Sequence, residues 1–378
     1  METISEILKL VYIIILRSIR KIFFVLPVKK NRVIFESFSG DAYSCNPKYI
    51  SEKLKEKYGD NIEIVWAVKN KNILPDGTLY CKYRSFKHFL FRITSKVYIC
   101  NYLQAIEIPK RKEQIEIQTW HGGGCYKKVG VDERKRSSIY EIRRDMHIKE
   151  TDFFIASSKY WEDEVMRKQF KFGGKALEIG MPRNDCLVGK TDLQKVNAIK
   201  EKIGVEDNTY MILYAPTWRE GADRFETLDY DAIALAFSEK FGKKCQIVFR
   251  AHLYGKEKAK NIIDMTDYPD MQELLYASDA LITDYSSSMW DYSLTGKPCF
   301  LYVPDLHRYV QQRGFDKDIH TWGFPVCESN RELIYQINSF NENDFKLNMK
   351  YHQQNLESFE KGNASEKMAD LIAEICGV

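Results

Sequence analysis

From residue 32 onward, short apolar runs alternate with longer amphipathic stretches. Runs 32–36, 62–68, 96–100, 113–120, 151–156 and 176–180 have strand length and are rich in Val, Ile and aromatic residues. Between them, 46–58, opened by Asn46 and Pro47, the charged stretch 133–147, and 160–170 predict helices. A polar helical stretch, 191–203, separates this series from a second one. There the predicted strands are 210–215, 245–250, 280–283 and 298–303, and the predicted helices 230–241, 271–277 and 288–295. Two long helices, near 329–340 and 343–376, end the chain. Strand–helix alternation run twice predicts an α/β protein of two doubly wound, Rossmann-like domains. We place them at 31–190 and 191–378, with the linker near 188–208 and the last helix able to return to the first domain.

The first thirty residues form a separate segment. Residues 10–16 and 22–26 are apolar, Arg17, Arg20 and Lys21 interrupt them, Pro27 stops the helix, and Lys29, Lys30 and Arg32 follow. Three cations inside the run argue against a spanning helix, which needs about 20 apolar residues. Glu2 and Glu6 in place of a cationic start, and no small-residue cleavage site, argue against a signal peptide. The pattern predicts an amphipathic helix in the membrane interface, its cations, with a second set at Arg134, Lys135, Arg136, Arg143 and Arg144, meeting anionic headgroups. That makes the protein peripheral, on the cytoplasmic face of the membrane.

Composition narrows the function. Of 378 residues, 57 are Lys or Arg and 53 Asp or Glu, a net charge of +4 that argues against a nucleic-acid binder. The 9 cysteines are spaced singly with no C-x-x-C pair, which reads as reduced thiols and not as a disulfide framework or zinc site.

Ligands of open α/β sheets bind beyond the carboxyl ends of the strands, and five predicted strand ends carry polar or glycine-rich clusters. His121, followed by Gly122, Gly123 and Gly124 and then by Lys127 and Lys128, is suited to proton removal beside a closely approaching backbone. Arg183 sits in a Gly-Met-Pro-Arg-Asn-Asp turn from Gly180 to Asp185. Thr217 and Arg219 follow Pro216. Arg250 and His252 have the period-two spacing that puts two cations on one face, as an anion site would. Thr283, Asp284, Ser286, Ser287 and Ser288 lead into a helix, offering hydroxyls and N–H groups to an anion. The P-loop, the dinucleotide G-x-G-x-x-G spacing, H-E-x-x-H and G-x-S-x-G are missing, and the two D-x-D triplets do not follow strands, so no metal site is assigned.

Together, in this order, the clusters resemble the CDP-glycerol glycerophosphotransferase family of teichoic acid synthesis. The matching stretches are Gln118 to Gly122 with Lys127 to Gly130, Gly180 to Asp185, Ile212 to Arg219, Arg250 to His252, and Ser278 to Ser287. Asp291, Lys297, Pro298, Tyr302, Asp305, Leu306, Tyr309 and Arg313 to Phe315 complete the set. The resemblance spans about residues 32–340 and implies a GT-B-like fold. It implies transfer of glycerol phosphate, or another alditol phosphate, from CDP-glycerol or CDP-ribitol to an undecaprenyl-diphosphate-linked saccharide, with release of CMP. It makes His121 the candidate base, and His252, Asp284, Ser286 and Ser287 donor-phosphate residues. Arg250, Thr217 and Arg219 would join them, and Gly122, Gly123, Lys127 and Arg183 would serve the acceptor or shape the loop. No cofactor is implied with certainty, and divalent-metal dependence stays open. Two departures stand out: Gly123 and Gly124 replace a commoner Thr/Ser-Pro continuation, and Ala251 stands where Pro is usual. The short N-terminal segment suits the primase-sized members. A nucleotide-sugar transferase of the same fold, or a non-catalytic module that binds wall polymer, are the alternatives.

Overall fold

Two parallel sheets organise the chain, in a computed structural model that describes residues 2–102, 106–124, 128–130, 138–217, 227–250, 261–312, 314–315 and 317–378. The first holds seven strands: β1 (Lys29–Glu36), β2 (Glu63–Val68), β3 (Tyr80–Lys82), β4 (Ser95–Cys100), β5 (Ile115–Gln118), β6 (Phe153–Ala156) and β7 (Lys175–Glu178). Their spatial order is β3-β2-β1-β4-β5-β6-β7, and every pairing is parallel. Val33, Ile34 and Phe35 of β1 are fully buried, as expected for a parallel sheet covered on both faces. The second sheet has six strands: β8 (Tyr210–Ala215), β9 (Cys245–Phe249), β10 (Ile262–Asp264), β11 (Ala280–Thr283), β12 (Cys299–Tyr302) and β13 (Val326–Cys327), in the order β10-β9-β8-β11-β12-β13. Strand order reverses between β1 and β4 in one sheet and between β8 and β11 in the other. Those two reversals are where a doubly wound sheet opens a ligand crevice.

The chain divides into two compact units. The first comprises residues 1–123, 129–185 and 359–378; the second, 124–128 and 186–358. The first carries helices α1 (Glu2–Arg20), α2 (Cys45–Tyr58), α3 (Phe86–Thr94) and α4 (Ser138–Glu150). The second carries α5 (Leu193–Lys202), α6 (Tyr230–Phe241), α7 (Met271–Ala277), α8 (Ser288–Ser293), α9 (Leu306–Gln312), α10 (Asn330–Ser339) and α11 (Glu342–Asn355). Helix α12 (Ala364–Cys376) belongs to the first unit, where Met368, Ala369 and Ile372 join the core formed by Val33, Phe35, Val97 and Ile99. The long terminal helix expected over 343–376 is thus two helices. Glu357 (φ 50°) and Gly362 (φ 74°) adopt left-handed backbone between them and break it. The helix expected at 160–170 is π-wound over Trp161–Gln169, with Phe170 N–H donating to Val165 O. Strands β3, β10 and β13 and helices α3 and α9, which are not among the predicted elements, are each nine residues or shorter.

Helix α1 is amphipathic, but its cations divide into two sets. Arg17 turns inward, donating to Ile106 O and pairing with the Glu150 carboxylate, and Arg20 donates to Glu107 O at 2.9 Å. Phe23 and Phe24, just beyond α1, pack with Phe89, Ile93 and Ile108. Arg17 and Arg20 therefore dock the helix on its own protein, contrary to their expected contact with headgroups. Arg144 is also buried, beside Asp145, and Arg143 pairs with Glu107 at 3.4 Å, so neither extends a basic face; Arg134, Lys135 and Arg136 lie outside the described residues. Among the described residues no helix is long and apolar enough to cross a membrane.

Burial gives the protein a pH signature. It pushes the imidazoles of His88 and His147 down to about 3 and that of His352 to about 4, and pushes the Glu36 carboxyl up to about 7. As pH falls from about 6.5 to 5, the unfolded chain protonates these three histidines and the native state does not. Glu36 works in the opposite sense, holding a proton only when folded. Burial also raises the Glu150 and Asp185 carboxyls, which act with Glu36, but the three histidines have the larger effect above pH 5, so unfolding takes up protons and stability falls with decreasing pH. Denaturant titrations at pH 7 and 5.5 should show a lower midpoint at 5.5; an unchanged midpoint would contradict the buried, neutral imidazoles.

Candidate active site

The first unit builds a histidine site at its strand-order reversal. Beyond β5, the chain stays paired to β4 through Thr119 N–H donating to Cys100 O at 2.8 Å. It then turns sharply, because Trp120 is left-handed (φ 53°). His121 follows, half-buried, its ring 4.3 Å from the Trp120 ring, 5.5 Å from Phe38 and 5.7 Å from Tyr102 between centroids. Its Nδ1 lies 2.8 Å from Asn101 O. A carbonyl oxygen only accepts, so Nδ1 carries the hydrogen of the neutral ring and Nε2 keeps its lone pair. That is the form a general base requires.

The backbone of this turn is clamped from two other elements. Arg183 is buried and donates through Nη1 to His121 O at 2.7 Å, with Cys45 Sγ 3.3 Å away. Asn46 donates through Nδ2 to Thr119 O (3.2 Å) and Trp120 O (3.1 Å), while its Oδ1 accepts from Arg183 N–H at 3.1 Å. Asn46 lies in the first turn of α2, directly after Cys45, whose backbone is left-handed (φ 61°). Gly122 and Gly123 are buried, and Ser157 donates its hydroxyl to Gly123 O. Among the sequence candidates of this unit, Gly122, Gly123 and Arg183 are therefore gathered on the His121 loop, and the Arg183 guanidinium grips backbone. Asn46 and Asn101 were not singled out from sequence. Asn46 read only as a helix opener, and Asn101 contributes a main-chain atom that any residue could supply.

The Arg183 turn is itself tied to the C-terminus. Glu360 Oε2 accepts from Met181 N–H and Oε1 from Asn184 Nδ2, both at 3.0 Å, and the Asp185 carboxylate caps α12 at Ala364 N–H (2.9 Å) and Ser365 N–H (2.7 Å). Gly180 (φ 85°) leaves room for this: a Cβ there would lie 2.6 Å from Glu360 Oε2.

In the second unit, the carboxyl ends of β8 and β11 meet. Asp284 is buried, and its Oδ2 accepts from Thr217 N–H (2.8 Å) and Thr217 Oγ1 (3.0 Å). Thr283 Oγ1 donates across to Ala215 O at 2.7 Å. Asp284 thus joins the two loops. Ser286 and Ser287 remain partly exposed beside buried neighbours; Ser286 Oγ accepts from Ser288 N–H at 3.2 Å, and Ser287 makes no side-chain cap. The Arg250 guanidinium donates to Tyr268 O at 2.9 Å, and burial lowers its pKa against the pull of Asp270. Beside these loops, Tyr285 stacks on Tyr309 with centroids 3.7 Å apart and donates to Asp305 at 2.9 Å. Lys127, Arg219 and His252 lie outside the described residues.

One further cluster has ligand chemistry that the sequence spacing hides. Ligand atoms of Cys100, Glu116 and His147, all buried, lie within 4.8 Å of one another. The Gln118 amide nitrogen sits among them, 3.0 Å from His147 Nε2 and 3.5 Å from Cys100 Sγ, and burial pushes the Cys100 thiol's pKa well up, away from a metal-binding thiolate. The cluster is a hydrogen-bonded network.

Comparisons with known proteins converge. The chain is 30% identical to the teichoic acid glycerol-phosphate transferase of Staphylococcus aureus, over 91% of this chain and 93% of that protein. It is 29% identical to a teichoic acid poly(glycerol phosphate) polymerase of Bacillus spizizenii (92% and 93% covered). It spans about half, 52%, of the corresponding polymerase of Bacillus subtilis, at 29% identity. Its fold matches the structure of the wall teichoic acid polymerase TagF with a TM-score of 0.82 and 26% identity, covering 100% of this chain and 98% of that one. The two Rossmann-like units are thereby of the GT-B-like kind. The family described as CDP-glycerol:poly(glycerophosphate) glycerophosphotransferase matches residues 18–374, and the chain belongs to that family of teichoic acid enzymes.

Proposed function

We propose that the protein transfers glycerol phosphate, or a related alditol phosphate, from a CDP-alditol to a lipid-linked saccharide of the undecaprenyl-diphosphate type, releasing CMP. The observation that carries this reading is the His121 imidazole, fixed through Nδ1 on Asn101 O so that Nε2 is the basic atom. An acceptor hydroxyl hydrogen-bonded to Nε2 would attack the alditol-bearing phosphorus as His121 takes its proton, and the bond to the CMP oxygen would break. Phosphoryl transfer depends mainly on positioning and charge stabilisation. We assign the donor diphosphate to the second unit, at the β8–β11 reversal. Thr217, Ser286, Ser287 and Arg250 come from its loops, and the family pattern adds Arg219 and His252. Asp284 holds this site together by binding Thr217. Gly122 and Gly123 bring backbone close to the acceptor, and the family pattern adds Lys127.

A donor panel tests the reading. With a lipid-linked acceptor, CDP-glycerol or CDP-ribitol should be consumed with CMP release, and UDP-sugars should not. Consumption of a UDP-sugar instead would make the protein a sugar transferase of this fold.

We also propose that α1 lies in an anionic membrane surface on the cytoplasmic side. Ile7, Leu8, Val11, Ile14, Ile15, Ile19, Ile22 and Val25 are exposed, with Lys9, Lys21 and Lys30 beside them. Ile15 and Ile19 are each 53% exposed, so replacing both by serine leaves the docked face intact. At about 25 cal/mol per Å² of apolar area, that double variant should bind anionic vesicles on the order of tenfold or more weakly. Unchanged sedimentation with the vesicles would remove α1 from the membrane.

A further inference from the structure

Gln118, the last residue of β5, is 1% exposed and places one amide between the two flanks of the His121 ring. Its Oε1 accepts from Trp120 N–H at 2.8 Å, and its Nε2 donates to Tyr102 O at 3.2 Å. The same nitrogen faces His147 Nε2 at 3.0 Å. This orientation is fixed: a flipped amide would set its NH₂ against the Trp120 N–H and its oxygen against the Tyr102 carbonyl. The amide nitrogen only donates, so the Nε2 of the fully buried, neutral His147 ring accepts its second hydrogen, with Glu116 Oε1 3.4 Å from the same ring atom. Every strong site on the amide has a partner, and two of the three partners, Trp120 and Tyr102, bear on His121. Trp120 precedes His121 in a left-handed conformation (φ 53°) that a non-glycine residue adopts only against steric resistance. Tyr102 follows Asn101, the residue whose carbonyl holds Nδ1.

We infer that Gln118 is a positioning residue that aims the His121 imidazole by holding the Trp120 N–H on one side and the Tyr102 carbonyl on the other, braced by His147. The inference rests on His121 being the base. Without the amide, Trp120 relaxes from its left-handed conformation, the Tyr102 segment loses its donor, and Nε2 loses its aim. An error of about 1 Å in such a group costs up to about 100-fold in rate.

The test is a double-mutant cycle on the full chain, read as CMP release from CDP-glycerol with lipid-linked acceptor. Gln118→Met keeps length and volume but removes the donors and the acceptor. It should lower kcat by roughly 10- to 100-fold with KM for CDP-glycerol within about twofold. In a His121→Ala background the same substitution should lower the residual kcat by less than about twofold, because Gln118 acts only through His121. An equal fall in both backgrounds, or no fall in the parent, would overturn the inference. Should Gln118→Met fail to give a cooperative thermal transition, Gln118→Asn, which keeps the amide but falls one methylene short, is put through the same cycle with the same criteria. Failure of the base assignment is separable: there His121→Ala alone would leave kcat near that of the parent.

Discussion

His121→Ala should lower turnover by about 100-fold or more while thermal stability stays within a few degrees of the parent. The first expectation follows from the ring's fixed tautomer. With Nδ1–H on Asn101 O, Nε2 is the atom able to take a hydroxyl proton, and alanine offers no substitute. The second follows from how the turn is held. Arg183 and Asn46 grip the carbonyls of residues 119–121 and Gln118 grips the Trp120 N–H, so the turn is held by side-chain hydrogen bonds to its backbone, which survive loss of the imidazole. The ring is only half-buried, which limits the cavity left behind. Steady-state CMP release with circular dichroism melting checks both. Near-normal turnover would dismiss His121 as the base; a collapsed melt would mean that the ring is structural.

The second large effect is on stability. Glu360→Ala leaves two buried donors, Met181 N–H and Asn184 Nδ2, without their carboxylate acceptor. Each such loss costs about 1–3 kcal/mol, a large fraction of the 5–15 kcal/mol that stabilises a typical protein. The damage is also functional. The Met181–Asn184 turn carries Arg183, whose guanidinium holds His121 O. Glu360→Gln keeps one carbonyl acceptor but turns its NH₂ toward the other donor, so it should lose less than alanine while staying clearly below the parent. Chemical denaturation of the parent and both variants orders them parent, Gln, Ala. Equal midpoints for all three would show that the C-terminal segment does not support the turn.

The two sheets were legible in the sequence because their strands are continuous apolar runs, as parallel strands buried on both faces must be. Residues 33–35, 97–100 and 280–283 carry that signal plainly. The edge elements were not: Tyr80–Lys82 and Ile262–Asp264 are three residues each, too short for periodicity to register. The His121 turn was visible as a histidine followed by glycines. What orients it was not, since it comes from a main-chain carbonyl at Asn101, a helix-start side chain at Asn46 and an amide at Gln118, each with another local explanation. Arg183 and Arg17 carry the opposite lesson. Arg17 read from sequence as a cation for lipid headgroups and Arg183 as one for the acceptor or for shaping the loop, and both bind backbone carbonyls inside the first unit. Sequence shows that a cation is present; only the fold shows which acceptors already surround it. The break in the last helix was marked by Gly362, a poor residue for a helix interior, whereas the left-handed turn at Glu357 left no sequence signal.

The central claim is tested most directly by following one transfer from both ends. The purified chain is incubated with CDP-glycerol and a lipid-linked saccharide, CMP is quantified, and the acceptor is weighed by mass spectrometry. One CMP should be released for each glycerol phosphate gained by the acceptor, at a rate cut by about 100-fold in His121→Ala. CMP release with no gain of mass on the acceptor, or equal rates in the two proteins, would contradict it.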